Sequence, residues 1–393
     1  IIKKVLVTDC NSRKALCVVR SLGKQGFHVV AASDEKVNMS RFSKYCSEYR
    51  YLPNPTKDEK CYIEIIVSIL EKDDIDILIP MEDETVELII KNKELFKKVH
   101  SLLPDYKTFM IARDKGKTIK KALEYGVPCP KTYFVNSYED LEHIKKDILL
   151  PVIIKPRISS GSRGLIHVNN IMDLIDRYKE IQKSYPSLII QEYLSGDYIK
   201  IQVLVMLDKN HKVRASCTYQ GIREFPVNGG PVTLWKTVSY PLLEEITVRF
   251  MENLKWVGFA EVEYLVNLNT GEYYLMEINP RFSANIALAV HVGVDFPLLF
   301  TKMALEQEVP IVRNNKLNTY CQWLLPGDIL NFIFNKNRFK QEIGYFIGKP
   351  KNMCYAILSN DDPLPVMAAI ISIFKNFAGN IKNLKYKLKA DRL

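Results

Sequence analysis

The stretch "YYLMEINPRF" (Tyr273–Phe282) begins as an apolar strand and ends with Glu277, Asn279 and Arg281. Side chains alternate across a strand, so these three share one face, with Met276 and Ile278 on the other. Upstream, "GFAEVEYLVN" (Gly258–Asn267) reads as a second strand, and "LNTG" as the turn between the two. A hairpin centred near Thr270 pairs positions whose numbers sum to about 540, which sets Glu263 opposite Glu277. Like charges opposed on a sheet are destabilising, and a cation between them removes the conflict. Two carboxylates plus the Asn279 amide oxygen form an all-oxygen set suited to Mg²⁺ or Mn²⁺, with Glu261 a rival ligand on the same face. Arg281 can then clamp a phosphoryl group or a carboxylate. In another register the glutamates never meet, and the strand is simply amphipathic.

A second stretch carries complementary chemistry. In "VIIKPRISSGSRG" (Val152–Gly164) an apolar strand delivers Lys155 into a turn rich in Gly and Ser. Backbone N–H groups of such a loop can approach phosphate oxygens, and the lysine supplies a point charge. No G-K-[ST] opens a helix, so this is not a Walker A loop. A β-hairpin loop with a surface lysine is the structural alternative.

The bulk properties set limits. At 393 residues the chain calls for two or three domains. Its composition, 47% hydrophobic and 25% charged, is globular. Eight scattered cysteines lack any CxxC pair and read as reduced thiols, and six unclustered histidines argue against zinc. The N-terminal "IIKKVLVTD" has no signal-peptide pattern and "LPVMAAIISIF" is too short to span a bilayer, so a cytoplasmic protein is expected. The net charge of +10 is uneven: from Ile311 onward 13 Lys/Arg face 5 Asp/Glu. A basic C-terminal region, rather than a nucleic-acid-binding body, follows.

Along the chain, "KKVLVTD", "SRKALCVVRSLGKQG", "HVVAAS" and "IDILIPMEDE" alternate strand and helix, which implies a parallel sheet. The first turn lacks G-x-G-x-x-G and is not a dinucleotide site. A boundary falls near Leu102–Lys115, a helix follows over Gly116–Gly126, and "SLIIQEYLSGDYIKIQVLVM" (Ser187–Met206) is two strands around a kinked connector. Ser283–Leu305 reads as helical, and a third region begins near Val309.

Taken in order, these segments resemble the ATP-grasp superfamily, in the branch of biotin carboxylase, carbamoyl phosphate synthetase and carboxylate–amine ligases. "RDKGKTIKKALEYGVPCP" resembles the segment presenting a first phosphate lysine, Lys115. "LPVIIKPRISSGSRGL" resembles the second lysine, Lys155, with a phosphate loop that includes Ser160, Gly161, Ser162 and Gly164. "IIQEYLSGDY" is similar to the adenine hinge, with Glu192, Tyr193 and Leu194 on the base and Asp197 as ribose candidate. "VEYLV" and "MEINPR" match the metal ligands Glu263, Glu277 and Asn279, and the catalytic Arg281. The resemblance covers about Lys3 to Leu305 and implies a mixed α/β and α+β architecture. It consists of a Rossmann-like pre-ATP-grasp domain (1–105), an ATP-grasp domain (106–308) with a lid subdomain (about 132–192), and a basic C-terminal region (309–393). It implies ATP and Mg²⁺ (or Mn²⁺) as cofactors, an acylphosphate formed on a carboxylate substrate, and an amine that attacks it. Homodimers occur among such relatives.

The departures bear on the substrate. After Arg281, "RFSANIALAVHVGVD" is small and apolar where biotin carboxylase has a polar stretch, which lowers bicarbonate carboxylation as a reading. A nucleotide-sensing module without catalysis is a further alternative. "YQGIREFPVNGGP" (Tyr219–Pro231) places Arg223 beside the site, either on the substrate carboxylate or as a structural residue of a surface hairpin. Asp83 and Glu84 follow a strand, where an acceptor site or a helix N-terminus explains them equally. His291, Trp235 and Trp256 read as packed. The apolar "LPVMAAIISIFKNFAG" and the basic "NIKNLKYKLKADRL" are expected to dock on the body, with an anionic membrane surface as the other reading.

Overall fold

The computed structural model describes residues 2–227, 229–314 and 316–374; the basic tail named above, 375–393, lies outside them. The chain opens with β1 (Lys4–Val7), α1 (Arg13–Lys24), β2 (His28–Ser33), β3 (Glu48–Tyr51), α2 (Glu59–Lys72), β4 (Ile77–Ile79) and α3 (Asp83–Lys91). The strands form a parallel sheet in the order β3-β2-β1-β4. Its inner strands are continuous apolar runs because helices cover both faces. Ser12 caps α1 by accepting the Ala15 N–H, and Asp58 caps α2 through Cys61. The edge strand β3, "EYRY", carries no apolar run, and nothing in the sequence marks it as a strand.

Two helices, α4 (Tyr106–Arg113) and α5 (Lys115–Glu124), lead into a small antiparallel sheet. It comprises β5 (Thr132–Val135), β6 (Val152–Pro156), β7 (Ile166–Val168) and β8 (Leu188–Glu192), ordered β5-β8-β6-β7. Helices α6 (Tyr138–Ile144) and α7 (Ile171–Gln182) cover it, burying Leu141, Leu174 and Tyr178 against Val152, Ile154 and Ile190.

The large sheet is built from β9 (Tyr198–Leu207), β10 (Val213–Glu224), β11 (Val232–Thr237), β12 (Gly258–Asn267) and β13 (Tyr273–Asn279). Helix α8 (Pro241–Asn253) lies on one face, with Trp256 fully buried there, and Trp235 is buried in the core of the other. The helical stretch after Arg281 is two helices, α9 (Ile286–Val292) and α10 (Phe296–Ala304), bent by 90° at a break. Gly293 sits there at φ 100°, a left-handed position that ends α9. His291, expected to pack, is exposed on the last turn of α9.

The large sheet does not stop at residue 309. The short β14 (Val312–Arg313) pairs with β10, and β15 (Tyr320–Gln322) and β16 (Met353–Tyr355) extend the sheet beyond β11. Between the last two strands runs α11 (Ile329–Phe334), and α12 (Leu364–Phe374) closes the described chain. All eight cysteines are free thiols. Among the described residues no single helix is long and apolar enough to cross a membrane.

Candidate functional site

A cleft of about 890 Å³ lies between the small sheet and the large one. That volume is at the upper end of the roughly 300–1,000 Å³ usual for small-molecule sites. Its floor is the β12–β13 hairpin. Glu263 pairs with Glu277 and Glu261 with Asn279, the register expected from the turn. The register then shifts between Glu263 and Tyr264, and Met276 becomes the extra residue of a bulge. Met276 therefore lines the cleft beside Glu277, although simple alternation places it on the opposite face.

The two glutamates do not behave alike. Burial, and then the nearby Glu277 charge, pushes the Glu263 carboxyl up to about 7. Burial acts most strongly on Glu277 too, but Lys115, Lys155 and Arg281 together outweigh it and hold that carboxyl below its usual range. Lys115 Nζ lies 3.1 Å from Glu277 Oε2 and also donates to the Ser159 carbonyl at 2.8 Å. Gln202 Nε2 donates to Glu263 at 3.3 Å. Glu261, the rival ligand, is buried and accepts from both Asn279 Nδ2 (3.0 Å) and Asn285 Nδ2 (2.9 Å). Glu261 thus engages the Asn279 nitrogen and leaves the amide oxygen as the atom a cation could take, although Asn279, unlike Glu263 and Glu277, is not among the residues lining the cleft. The donor set is all oxygen and carries surplus negative charge, the chemistry that suits a hard divalent ion. Among the described residues no group of three or more His, Cys, Asp or Glu side chains gathers as a metal site. Two carboxylates and an amide leave ligand positions for phosphate oxygens.

Facing the hairpin, β6 carries Lys155 into the cleft. Its Nζ donates to Gln191 Oε1 at 2.7 Å, and Gln191 Nε2 donates to Thr132 at 2.9 Å. Burial pulls the Lys155 ammonium down to about 8, against the pull of Glu277. A bound phosphate would reverse that shift. Ser159, Ser160, Gly161, Ser162 and Arg163 line the cleft. Gly161 holds φ 64° with open space around it, so the loop exposes backbone there. Gly164 does not line the cleft. A Cβ on it would meet Pro156 and Tyr185 at 2.8 Å, so its smallness serves packing.

At the hinge, Glu192, Tyr193 and Leu194 line the cleft. The Tyr193 N–H donates to the Pro151 carbonyl, whereas among the described residues the Leu194 N–H has no such acceptor. Leu194 is thus the better backbone contact for a base. His167 packs edge-on to Tyr193 at 4.7 Å and joins the lining, a residue no motif announces. Asn331, Asn335, Asn337 and Gln341 also close the cleft from the C-terminal segment.

Three expected placements are corrected. Asp197 is turned out of the cleft, accepting from Asn269 Nδ2 at 2.5 Å beside the hairpin turn. Arg223 borders the cleft, but its guanidinium is engaged within the protein and is not presented to it. Its Nε donates to Asp328 Oδ1 at 2.9 Å, Nη2 to the other oxygen and Nη1 to the Ile343 carbonyl, with Tyr345 stacked 4.1 Å away. The side chains of Arg223 and Asp328 are 1% and 0% exposed. Arg281 lies beyond the end of β13, where the alternation of the strand no longer sets its direction, and is held by Asp83 (3.3 Å) and Glu82 (3.7 Å) rather than standing with the two lysines. Glu82 lines a smaller cavity of about 270 Å³ at the carboxyl ends of β1 to β4. That cavity shares Ser160 and Arg163 with the cleft.

A cleft lined by two lysines and a Gly/Ser loop, between a small antiparallel sheet and a larger one with an acidic hairpin, is the arrangement of the ATP-grasp class. Residues 114–312 match the family model of the carbamoyl-phosphate synthase L chain, ATP binding domain, and the chain belongs to that family. It is 24% identical over 308 residues to the carbamoyl phosphate synthase large chain of Thermoanaerobacter sp. (strain X514), covering 75% of this chain and 28% of that one. Against the other leading curated relatives it spans 6–20% of their length. Biotin carboxylase of Campylobacter jejuni superposes with a TM-score of 0.68 at 19% identity, over 81% of this chain and 74% of that one. An L-amino acid ligase from Bacillus licheniformis gives 0.60 at 14% identity, over 78% and 75%. At these identities the structures share the fold.

Proposed function

We propose that the chain is an ATP-dependent ligase that phosphorylates a carboxylate substrate and joins the resulting acylphosphate to an amine. The observation that carries this reading is the Glu263–Glu277 pair, opposed in register and faced by Lys115 and Lys155 under a Gly/Ser loop. Glu263, Glu277 and Asn279 would hold Mg²⁺, which when bound offsets phosphate charge. Lys115 and Lys155 neutralise the transferring phosphoryl group, and the loop around Gly161 covers it. Glu192 and the Leu194 backbone address adenine. Gln191 fixes the Lys155 ammonium, and Glu261 fixes Asn279. The smaller cavity, joined through Ser160 and Arg163, is where the acid or amine enters, with Arg281 bracing Glu82 in its wall and the buried Asp83 behind it. In this reading residues 1–105, 106–308 and 309–393 are the pre-ATP-grasp, ATP-grasp and C-terminal parts, with a lid at about 132–192.

The test is Mg²⁺-dependent release of ADP and phosphate from ATP across pools of amino acids, dipeptides, hydroxy acids and bicarbonate, with Glu277→Ala as blank. Release stimulated by an acid together with an amine, and lost in the variant, is expected. Release stimulated by bicarbonate alone would replace ligation with carboxylation. Equal release by the variant would sink the metal assignment.

A further inference from the structure

Helix α12 is mounted with an apolar face outward. Asp361 and Asp362, just before it, are clamped to the first region of the chain. Arg20 Nε donates to Asp362 Oδ2 at 2.8 Å, and Ser43 and the Lys44 N–H reach the same carboxylate. Lys44 pairs with Asp361 at 2.6 Å. Beyond the clamp, Ala369 is buried with Leu16 and Ile357, and Val366 packs against that cluster. One side of the helix thus docks on the body, as the sequence leads one to expect. The other side does not. Leu364, Met367, Ile370, Ile371 and Phe374 are exposed, Met367 by 60% and Phe374 by 71%. Their spacing puts all five on one stripe about a third of the way round the helix. No charged residue interrupts Leu364–Phe374, and the two acids that precede it are already paired.

We infer that this stripe is an interfacial membrane contact, and that its partner is an anionic lipid surface. The sequence decides between lipid and protein partners. Directly after Phe374, residues 375–393 contain six Lys/Arg and one Asp. An apolar helical face followed in sequence by a surplus of cations is complementary in character to acyl chains beneath anionic headgroups. A second copy of this chain carries the same surplus of cations in this segment and so offers it no charge complementarity. The clamp at Asp361 and Asp362 fixes the helix before it meets lipid, so little ordering entropy is lost on binding.

Co-sedimentation of the full chain with vesicles tests the assignment, using phosphatidylcholine alone or mixed with phosphatidylglycerol. Binding to the anionic vesicles is expected, weakened by salt, and reduced about tenfold or more in Met367→Glu/Ile371→Glu. Leu149→Glu, at an equally exposed apolar position in the small-sheet region, should bind like the parent. Thermal melting and nucleotide binding check that the double variant is folded. No binding to anionic vesicles would overturn the inference, as would equal binding to neutral ones. So would a dimer seen by ultracentrifugation that the double variant dissolves, which would give the stripe to a second copy.

Discussion

Two charged pairs, one fully buried and one half-buried, sit on the same large sheet and are built in opposite ways. The Arg223–Asp328 pair is complete. Asp328 also accepts from Thr233 and Gln322, and the guanidinium fills its remaining edge with the Ile343 carbonyl. The Glu263–Glu277 pair is incomplete. Two like charges face each other and one of them is pushed up to about 7; Lys115 pairs with Glu277 alone, and Lys200, whose charge reaches Glu263, is itself paired with Glu224. A buried charge closed by its own chain holds the fold together, while one left in deficit waits for a ligand. The contrast is sharper than any motif, because it rests on what each group still lacks.

The contrast can be broken experimentally. Glu263→Gln should give the largest effect: ATP turnover falling by about 10³-fold. The same change should stabilise the metal-free protein by about 1–2 kcal/mol in urea titrations, since it removes one of two opposed charges. A variant that loses both activity and stability would show that the pair is structural. Asp328→Ala should do the reverse, costing about 3–5 kcal/mol of stability by stranding a buried guanidinium. Nucleotide affinity per folded molecule should be unchanged, as read by calorimetry below the melting range.

Metal affinity should also follow pH. With its carboxyl at about 7, Glu263 is protonated below that point and must release its proton to bind a cation. Mg²⁺ affinity should fall by up to about tenfold per unit as pH drops below 7, with proton release visible in buffers of different ionisation enthalpy. In the metal-free protein the raised carboxyl has the opposite consequence, stability falling as pH rises from the unfolded value of 4.5 through about 7. The smallest effect is expected at Gly161→Ala. Only the left-handed φ resists a side chain there, so about 1 kcal/mol, or less than tenfold in nucleotide affinity, should be lost.

The parts of the site that were legible are those fixed by local geometry. A four-residue turn sets the Glu263–Glu277 register, and a strand ending in a Gly/Ser loop places Lys155. What was not legible depends on distant partners. Arg223 looked available because Asp328 lies 105 positions away. Arg281 looked like part of the hairpin face, but it follows the strand's end and meets Asp83 of the first sheet. Met276 changed face through a bulge, which alternation does not foresee. The cleft wall from Asn331 to Gln341 has no motif at all, and only the continuation of the sheet through β15 brings it there.

That continuation has a consequence for anyone cutting the chain. The family match ends at residue 312, before β15 and β16. A shortened chain ending there would turn β11 into a bare edge, with Leu234, Trp235 and Lys236 no longer paired to Gln322, Cys321 and Tyr320. It would also leave Arg223 buried without its counter-ion. An open apolar edge recruits other edges, so the piece that carries every recognisable motif is the piece that would aggregate when expressed alone.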